Sequence, residues 1–292
     1  EGKREKDWLN VKEGMQKEWD DQMGNGNFEL IKRSDLPKSV NVLPSVWQMK
    51  RKRDIRTRKI KKYKARLNID GSRMKPGRDF DQTYAPVASW NSIRTLLTMT
   101  ALRGWKTKQI DYVLAFPQAP VERELYMGIP RGFTIQDGNP KDYALKLHRN
   151  VYGQPQSGRV WNQYLTKILT EKVGFTKSEV DECVFYRGQV MYVLYTDDSI
   201  LAGPSEEEID KVIEDIKKAK LDITIEGDLQ DFLGVNIDRK PDGSIHLTQP
   251  HLIDQILKDL KMTDDKVKPK TTPASSSKLL SRHSESTDFD ES

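Results

Sequence analysis

Cysteine is almost absent from this sequence, which contains one, Cys183, among 292 residues. A single cysteine excludes an intramolecular disulfide framework and is typical of a reducing compartment. Histidine is also scarce, and because His246 and His251 have no cysteine partners nearby, a zinc site is not expected. No apolar run approaches the roughly 18 residues of a membrane span, and no signal peptide opens the chain, so we expect no membrane partner.

Apolar residues are under-represented as well. Hydrophobic residues make up 36% of the chain and charged residues 32%, which are below and above the usual globular shares. The chain can therefore bury a core, but part of it must be solvated surface or tail. Its 292 residues suffice for one large domain or two ordinary ones. Because the first residue is Glu1 and not Met, we expect a piece of a longer chain or a processed product.

Positive charge is concentrated in one segment. Residues 50–66, KRKRDIRTRKIKKYKAR, contain eleven Lys or Arg and one Asp. This segment carries +10 whereas the whole chain carries +5, so the remaining residues together carry −5. Such a segment indicates a polyanion partner, with a solvated charged segment as the alternative. The apolar residues of YKARL at its end favour basic side chains mounted on a strand.

The spacing of apolar residues predicts five helices, at residues 4–23, 89–104, 157–175, 205–220 and 249–262. The fourth is the best marked, since Ser205 and Glu208 form a capping box, acids fill its first turn and lysines its last. The apolar stripes of the first, second and fourth helices are expected at Trp8, Val11, Met15 and Trp19, at Ile93, Leu96, Leu97 and Thr100, and at Ile209, Val212, Ile213 and Ile216.

Strands are expected between the helices. Residues 28–70 predict short strands that carry the basic segment, and the stretch from Trp105 predicts a strand that runs into Asp111. DECVFY predicts a strand that takes Cys183 into the core, and PDGS predicts a turn. From about Val267 the composition indicates a disordered tail or linker. Hairpins and helices in sequence predict the α+β class rather than a regular βαβ repeat.

The stretch VLYTDDSIL, residues 193–201, raises a specific question. Apolar runs on either side predict a hairpin joined by the two residues Asp197 and Asp198. Tight turns favour Asn-Gly or Asp-Gly, because their central residues often need positive φ. Two adjacent carboxylates are a poor choice for that role and repel each other. An Asp at a strand end is most often a turn or cap residue, but a metal ion held between Asp197, Asp198 and Asp111 would explain the arrangement.

The chemistry of such an acid cluster points to nucleic-acid enzymes. Carboxylates are the ligands that Mg²⁺ prefers, and Mg²⁺ keeps coordination positions for water and phosphate oxygens. Two such ions can activate a 3′-hydroxyl and stabilise a leaving pyrophosphate. A basic surface elsewhere would hold nucleic acid by its phosphates. Acid cluster and basic segment together indicate a polymerase or a nuclease.

Several motifs carry a family resemblance. QIDYVLAF (109–116), VYGQPQSGRVWN (151–162), LYTDDSILAG (194–203) and GDLQDFLGVNI (227–237) stand in the order found in reverse transcriptases. YKARL, FDQTYAPVASWNSIRTLL, ELYMGIPRGF and HLTQPHLIDQIL narrow the resemblance to copia-type Pol polyproteins of LTR retrotransposons. The sequence resembles this family over nearly all of residues 8–275.

The resemblance implies roles for individual acids and for the nucleotide-binding residues. The implied catalytic and metal-binding residues are Asp111, Asp197 and Asp198, with the Tyr112 carbonyl as a further ligand, and the implied cofactor is two Mg²⁺ ions, with Mn²⁺ as an alternative. For the incoming dNTP, the resemblance implies Lys64 and Arg66 at the triphosphate, Phe116 against the sugar, where its ring would exclude a 2′-hydroxyl, and Gln156 beside the nucleotide. Two alternatives stay open: Phe116 as an ordinary core residue, and neighbouring basic residues in place of Lys64 and Arg66.

The resemblance also implies residues that contact template or primer. These are Gly153, Gly158, Tyr195, Leu233 and Gly234. The chain departs from the family where Pro155-Gln156-Ser157 replaces the common Lys-Gln-Ala, and Pro155 removes one N–H donor and stiffens the loop. Thr196 replaces the more usual Val, a change of similar shape that should be tolerated.

The implied fold is a right-hand polymerase with fingers, a palm built on an antiparallel sheet, and part of a thumb. The expected divisions are an N-terminal helical segment at 1–27, a fingers-like region with the basic segment at 28–106, a palm at 107–232 with a fingers insertion at about 118–150, a primer-supporting hairpin and start of the thumb at 233–266, and a disordered linker or tail at 267–292.

The implied function is RNA-directed DNA polymerisation by phosphoryl transfer from a dNTP to a primer 3′-hydroxyl. The expected partners are an RNA and DNA template-primer, dNTPs, and the integrase and RNase H parts of a Pol polyprotein, which this chain does not match. The expected location is the cytoplasm, within a virus-like particle, or the nucleus. Two other hypotheses stay open: a catalytically inactive retrotransposon fragment that only binds nucleic acid, and a basic binding or assembly module with no active site.

Overall fold

The computed structural model describes residues 2–53, 60–135 and 138–263. Its helices are α1 (Gly2–Gly24), α2 (Trp90–Arg103), α3 (Ala115–Gln118), α4 (Ser157–Glu171), α5 (Glu206–Lys218) and α6 (Pro250–Asp259). Its strands are β1 (Phe28–Lys32), β2 (Val42–Leu43), β3 (Ser45–Arg53), β4 (Ile60–Ile69), β5 (Lys106–Tyr112), β6 (Tyr126–Gly128), β7 (Tyr143–Leu147), β8 (Thr176–Lys177), β9 (Val184–Arg187), β10 (Val190–Tyr195), β11 (Asp198–Gly203), β12 (Ile223–Gly227), β13 (Asp231–Phe232), β14 (Val235–Arg239) and β15 (Ile245–Thr248). The α+β class is confirmed.

Two compact units divide the chain. The first contains Glu1–Gln230 and Ile237–His246, and the second contains Asp231–Asn236 and Leu247–Ser292. Part of the basic segment, residues 54–59, and the tail expected from Val267 lie outside the described residues. Among those that are described, no helix is both long enough and apolar enough to span a membrane.

Helices α2 and α5 form as their sequences predict. The side chains of Ser89 and Ser205 accept hydrogen bonds from Ser92 N and Glu208 N, which satisfies backbone donors at the start of each helix. Gly104 ends α2 in the left-handed conformation, at φ +64°. The buried residues of the two helices are those expected, namely Ile93, Leu96, Leu97 and Thr100, and Ile209, Val212, Ile213 and Ile216.

Helix α1 differs from its predicted stripe. Met15 is buried, but Trp8 is 51% exposed, and the other buried side chains of the helix include the polar Glu18 and Gln22. Apolar spacing could not reveal this, because polar residues are buried only where partners satisfy them. The amide of Gln22 donates to Glu18 and accepts from Asn27 Nδ2, so a polar chain runs along the buried side of α1.

A six-stranded antiparallel sheet forms the centre of the first unit. Its strand order is β12-β5-β11-β10-β9-β8. Helices α2 and α5 pack against it, and α5 contacts β5 and β11. Strands β10 and β11 are buried except at the hairpin tip, because apolar side chains occupy both faces. Cys183 precedes β9 and is buried, as predicted.

The first unit also contains a second sheet and a two-stranded ribbon, and parts of β14 and β15 from a three-stranded sheet of order β13-β14-β15. The second sheet has the order β1-β7-β6-β2, and the ribbon pairs β3 with β4. One hydrophobic cluster joins the base of β4 to this sheet; its buried members are Phe28, Leu43, Leu67, Ile69, Met74, Leu125, Met127, Leu145, Leu147 and Val151. The ribbon carries the described part of the basic segment, including Lys50, Arg51, Lys62, Lys64 and Arg66.

The second unit contains a short hairpin and α6. Asp231 pairs with Asn236 and Phe232 with Val235, so Leu233 and Gly234 are the two turn residues. Both have positive φ, at +52° and +79°, as a tight hairpin turn requires. Helix α6 exposes the apolar side chains of Leu252, Ile253 and Ile256.

Candidate active site

The hairpin tip is shifted by one residue from its predicted position. Strand β10 ends at Tyr195 and β11 begins at Asp198, so the turn residues are Thr196 and Asp197. The prediction that Asp197 and Asp198 form the turn is therefore wrong. Asp198 is a strand residue that pairs with Tyr195 on one side and with Asp111 of β5 on the other. The register that places Asp198 opposite Asp111 is set by the sheet.

Two hydrogen bonds from Trp161 and Tyr112 fix the backbone of the turn. Thr196 has φ +58°, which is costly for a β-branched residue. Its carbonyl oxygen accepts a hydrogen bond of 2.6 Å from Trp161 Nε1. The next carbonyl, of Asp197, accepts from Tyr112 N at 3.0 Å. These two bonds fix the orientation of the turn that carries Asp197.

Buried aromatic residues support the tip. The rings of Tyr112 and Trp161 meet edge to face, with centroids 5.0 Å apart. The Tyr112 hydroxyl lies 2.9 Å from that of Tyr192, which lies 2.7 Å from Ser199 Oγ. Burial raises the pKa of both tyrosine hydroxyls well above 10. The layer beneath the acids is therefore uncharged, and it fixes their position by packing and neutral hydrogen bonds.

A cavity of about 320 Å³ opens at this tip. It is lined by residues of β3 and β4, of β5 and the segment after it, of the loop before α4 and of the hairpin turn: Gln48, Lys50, Lys64, Arg66, Asp111, Tyr112, Leu114, Tyr152 and Asp197. Carboxylates therefore lie on the side of the sheet, and basic side chains lie on the side of the ribbon. This separation of charge suits a ligand that bears anionic groups and cations together.

The basic side of the cavity is organised by strand register. Lys50 pairs with Lys64, and Gln48 pairs with Arg66. Like charges directly across a strand pair are destabilising, so an anion bound between Lys50 and Lys64 would relieve their repulsion. The Arg66 guanidinium lies 4.2 Å from the centre of the Tyr152 ring. Burial raises the pKa of Tyr152 to about 12, although Arg66 acts in the opposite direction.

Of the predicted nucleotide-binding residues, Lys64 and Arg66 line the cavity, while Phe116 and Gln156 lie outside its lining. Phe116 is half-buried, and its ring centroid is 5.2 Å from that of Tyr152, a cavity residue. Gln156 is buried at the start of α4, and its Oε1 accepts no hydrogen bond from the described residues. Their contacts with a nucleotide stay predictions.

Among the residues predicted to contact template or primer, Gly153 has an intramolecular requirement. It has φ +91°, and a Cβ there would lie 2.2 Å from the Ile69 carbonyl oxygen. Gly158 is less constrained, since a Cβ there would only contact Ala85 at 3.5 Å. Leu233 and Gly234 form the hairpin turn of the second unit. The roles of all these residues with nucleic acid stay predictions.

The residues present fit a Mg²⁺ ion. Asp111 and Asp197 both line the cavity, and Asp198 is the cross-strand partner of Asp111. Among the described residues, no three Asp, Glu, His or Cys side chains form a complete metal-binding group. That is compatible with Mg²⁺, which is usually bound by one or two carboxylates while water and substrate phosphates complete its shell.

Five residues of this site were not identified from the sequence as site residues. They are Gln48, Lys50, Leu114, Tyr152 and Trp161. Gln48 and Lys50 stand two apart on a strand, which indicates a shared face. Their position opposite Arg66 and Lys64 depends on the register of β3 and β4, and no sequence signal gave that. Tyr152 and Trp161 lie within the motif VYGQPQSGRVWN, but their contacts come from tertiary packing.

The chain belongs to the reverse transcriptase (RNA-dependent DNA polymerase) family, whose model matches residues 27–276. Its relatives are Pol polyproteins of copia-type transposons, which confirms the resemblance found in the sequence. One is the retrovirus-related Pol polyprotein from transposon TNT 1-94 of Nicotiana tabacum, 31% identical over 274 residues. Another is that from transposon RE2 of Arabidopsis thaliana, 32% identical over 278 residues.

These alignments cover 92% and 94% of this chain but 20% and 18% of the relatives. The chain thus spans about a fifth of the length of these curated relatives. A solved structure of a foamy viral protease-reverse transcriptase in complex with double-stranded DNA is also similar. Its TM-score is 0.47 at 16% identity, over 87% of this chain and 39% of that one.

Proposed function

We propose that this chain is the RNA-directed DNA polymerase domain of a retrotransposon Pol polyprotein. Its substrates are dNTPs and an RNA or DNA template with a primer, and it extends the primer 3′-hydroxyl by phosphoryl transfer with the help of two divalent ions. Membership of the reverse transcriptase family supports this reaction class. The proposed setting is a longer polyprotein, which the short share of the relatives covered by this chain supports.

One observation carries the proposal: a single cavity contains acids on one side and cations on the other. Asp111 and Asp197 face the same space as Lys50, Lys64 and Arg66. A triphosphate with its divalent ions has the complementary distribution of charge. A non-enzymatic basic module has no need for carboxylates in its basic groove, since they would weaken phosphate binding. The arrangement therefore favours an active site.

Each part of the cavity has a proposed task. Arg66 and Lys64 bind phosphate oxygens, because a guanidinium forks two hydrogen bonds and an ammonium acts as a point charge. Asp111, Asp197 and Asp198 would hold Mg²⁺, which when bound would acidify the primer hydroxyl and neutralise charge on the departing pyrophosphate. The fixed turn keeps Asp197 in place during the reaction, so little reorganisation is needed.

Four further contacts belong to the proposal. Phe116, whose ring contacts that of the cavity residue Tyr152, packs against the sugar and disfavours a 2′-hydroxyl, while Gln156 contacts the nucleotide. The turn at Leu233 and Gly234 supports the primer end. The glycines at 153 and 158 allow the template to approach the backbone before and at the start of α4.

Primer extension on an RNA template tests the proposal. The wild-type chain should add dNTPs in Mg²⁺, and Asp111→Asn, Asp197→Asn and Asp198→Asn should each lower the rate by about 10³-fold or more. Asp142→Asn, an exposed acid beside β7, is the matched control and should extend normally. Thermal unfolding and template binding should be nearly unchanged in all four variants.

The same experiment separates the rival functions. Salt-sensitive template binding without any extension by the wild-type chain would identify an inactive fragment or a basic binding module. Extension that survives all three acid substitutions would show that the assigned acids are not catalytic. Extension on DNA but not RNA templates would contradict the RNA-directed part of the proposal.

A further inference from the structure

Helix α1 buries one acidic side chain for which the proposed chemistry has no direct use. Glu18 is 7% exposed. Its Oε1 accepts a hydrogen bond from Gln22 Nε2 at 3.1 Å and a longer one from Leu67 N at 3.4 Å. A buried carboxylate is costly unless it is hydrogen-bonded or paired with charge. The two hydrogen bonds that Glu18 accepts therefore offset part of the cost of burying its carboxylate.

Glu18 holds the strand that carries the phosphate-binding cations. Leu67 follows Arg66 directly in β4, and Lys64 lies two residues before Arg66 on the same strand. The charges that face the Glu18 carboxylate are those of Lys64 and Arg66, and both favour its ionised form. Burial acts against them more strongly and raises the pKa of Glu18 above its ordinary value.

Other contacts show that α1 follows the ribbon along its length. The backbone of Gly14 comes so near to β4 that a Cβ there would lie 3.6 Å from the Tyr63 carbonyl oxygen. At the far end, Asp7 bonds with the Tyr63 hydroxyl and with Arg51 Nη2, the latter at 3.0 Å. Helix α1 therefore contacts both strands of the ribbon.

Helix α1 also lies outside the matched part of the family. It ends at Gly24, whereas the family model begins at residue 27. Among the residues that the structure describes, the ribbon is two strands wide, and a two-stranded ribbon alone has little stability. Helix α1, which lies outside the matched region, therefore stabilises a ribbon that has little stability by itself.

We propose that Glu18 is a positioning residue, which fixes β4 through its hydrogen bond to Leu67 N and so sets the position of Lys64 and Arg66 for triphosphate binding. The proposal rests on the proposed function, since it names a determinant of the same nucleotide site. Its effect is on substrate affinity: a displaced β4 moves the cations away from the triphosphate while the acids on the sheet stay in place.

Two substitutions separate the hydrogen bond from the charge. Glu18→Gln removes the charge but keeps an oxygen where Oε1 accepts both bonds. Glu18→Asp keeps the charge but withdraws the carboxylate by about 1.5 Å, one carbon–carbon bond. Glu13→Gln is the matched control, because Glu13 is an exposed acid on the same helix.

Steady-state primer extension by the wild-type chain and these variants gives the first readout. Glu18→Asp should raise the KM for dNTP about tenfold and change kcat less than threefold, because misplaced binding groups weaken substrate binding. Glu18→Gln and Glu13→Gln should stay within about twofold of wild type on both parameters. A normal KM for dNTP in Glu18→Asp would overturn the proposal. So would a rise in KM in Glu18→Gln as large as the rise in Glu18→Asp.

Hydrogen exchange gives a second readout that does not require polymerase activity. The Leu67 amide should exchange about tenfold faster in Glu18→Asp than in wild type, and at the wild-type rate in Glu18→Gln. Unchanged protection in Glu18→Asp would contradict the bracing contact itself. If the wild-type chain extends no primer while the amide behaves as expected, the proposed function fails but the brace stands.

Discussion

Two hairpins contribute opposite charges to one cavity, and they are built in opposite ways. The acid-bearing hairpin of β10 and β11 lies inside a six-stranded sheet, and its partly exposed strand residues are Tyr195 and Asp198 at the tip. In the described part of the chain, no further strand extends the basic ribbon of β3 and β4, and Val46 and Met49 are 46% and 42% exposed.

The difference concerns how each charge is positioned. The acids sit on a packed sheet whose deformation would break many contacts at once. The cations sit on a ribbon that depends on outside supports: α1 along it and the hydrophobic cluster at its base. We therefore expect substitutions near the acids to change the rate of chemistry, and substitutions near the ribbon to change substrate affinity.

The base of the ribbon should be the most sensitive point. In Gly153→Ala, the new Cβ would meet the Ile69 carbonyl oxygen at 2.2 Å, at φ +91°. We expect the free energy of unfolding to fall by more than about 3 kcal/mol, measured by urea denaturation. Gly158→Ala is the control and should leave stability unchanged or raise it by up to about 1 kcal/mol. Equal stability of the two variants would show that the base does not anchor the ribbon.

The cavity face of the ribbon should show an affinity effect. Arg66→Gln should raise the KM for dNTP about thirtyfold, because a charged hydrogen-bond donor to phosphate is lost. Arg66→Lys keeps the charge but loses the planar contact with Tyr152, so its effect should be smaller. Steady-state kinetics measure both, with Arg94→Gln on α2 as the control. A fall in kcat at constant KM would contradict the division between the hairpins.

The tip of the acid hairpin should show a rate effect. Trp161→Phe removes the hydrogen bond to the Thr196 carbonyl while keeping an aromatic ring. We expect kcat to fall about fivefold with KM for dNTP nearly constant, since the turn loses one neutral hydrogen bond. Trp90→Phe, on the surface of α2, is the control. A larger change in KM than in kcat would argue against a fixed tip.

The sheet that carries the acids should resist local opening. Cys183 is fully buried beside β10, and burial raises the pKa of its thiol from 9.0 to about 12. The folded chain keeps this proton where the unfolded chain loses it, so the thiol's contribution to stability is present below pH 9 and lost as pH rises towards 12. Alkylation of Cys183 should therefore require unfolding at pH 8. Rapid labelling of the native chain would show that the six-stranded sheet opens locally and is not more rigid than the ribbon.

Local structure was predictable where it is determined by residues close together in the sequence. The buried stripes of α2 and α5 and the capping box at Ser205 follow from spacing and side-chain type alone. The family motifs identified Asp111, Asp197, Lys64 and Arg66, which line one cavity.

The rest depended on contacts between distant segments. The turn was misplaced by one residue because two adjacent Asp give no register signal, whereas in the structure Asp198 pairs with both Tyr195 and Asp111. The stripe predicted for α1 was incomplete: Met15 is buried, but Trp8 is exposed, and Glu18 and Gln22 are buried with polar partners that apolar spacing does not reveal. The need for Gly153 could not be inferred because it arises from the carbonyl of Ile69, 84 residues earlier.

The contacts of Tyr152 with both Arg66 and Phe116 have a consequence for selectivity. The guanidinium lies 4.2 Å from the centre of the Tyr152 ring, and the Phe116 ring centroid lies 5.2 Å from that of the same ring. Under the proposed function, Arg66 binds phosphate and Phe116 borders the sugar. A nucleotide that displaces Arg66 or Phe116 would also displace the Tyr152 ring that both residues contact. Recognition of the phosphate tail and discrimination between ribose and deoxyribose are then coupled through one tyrosine.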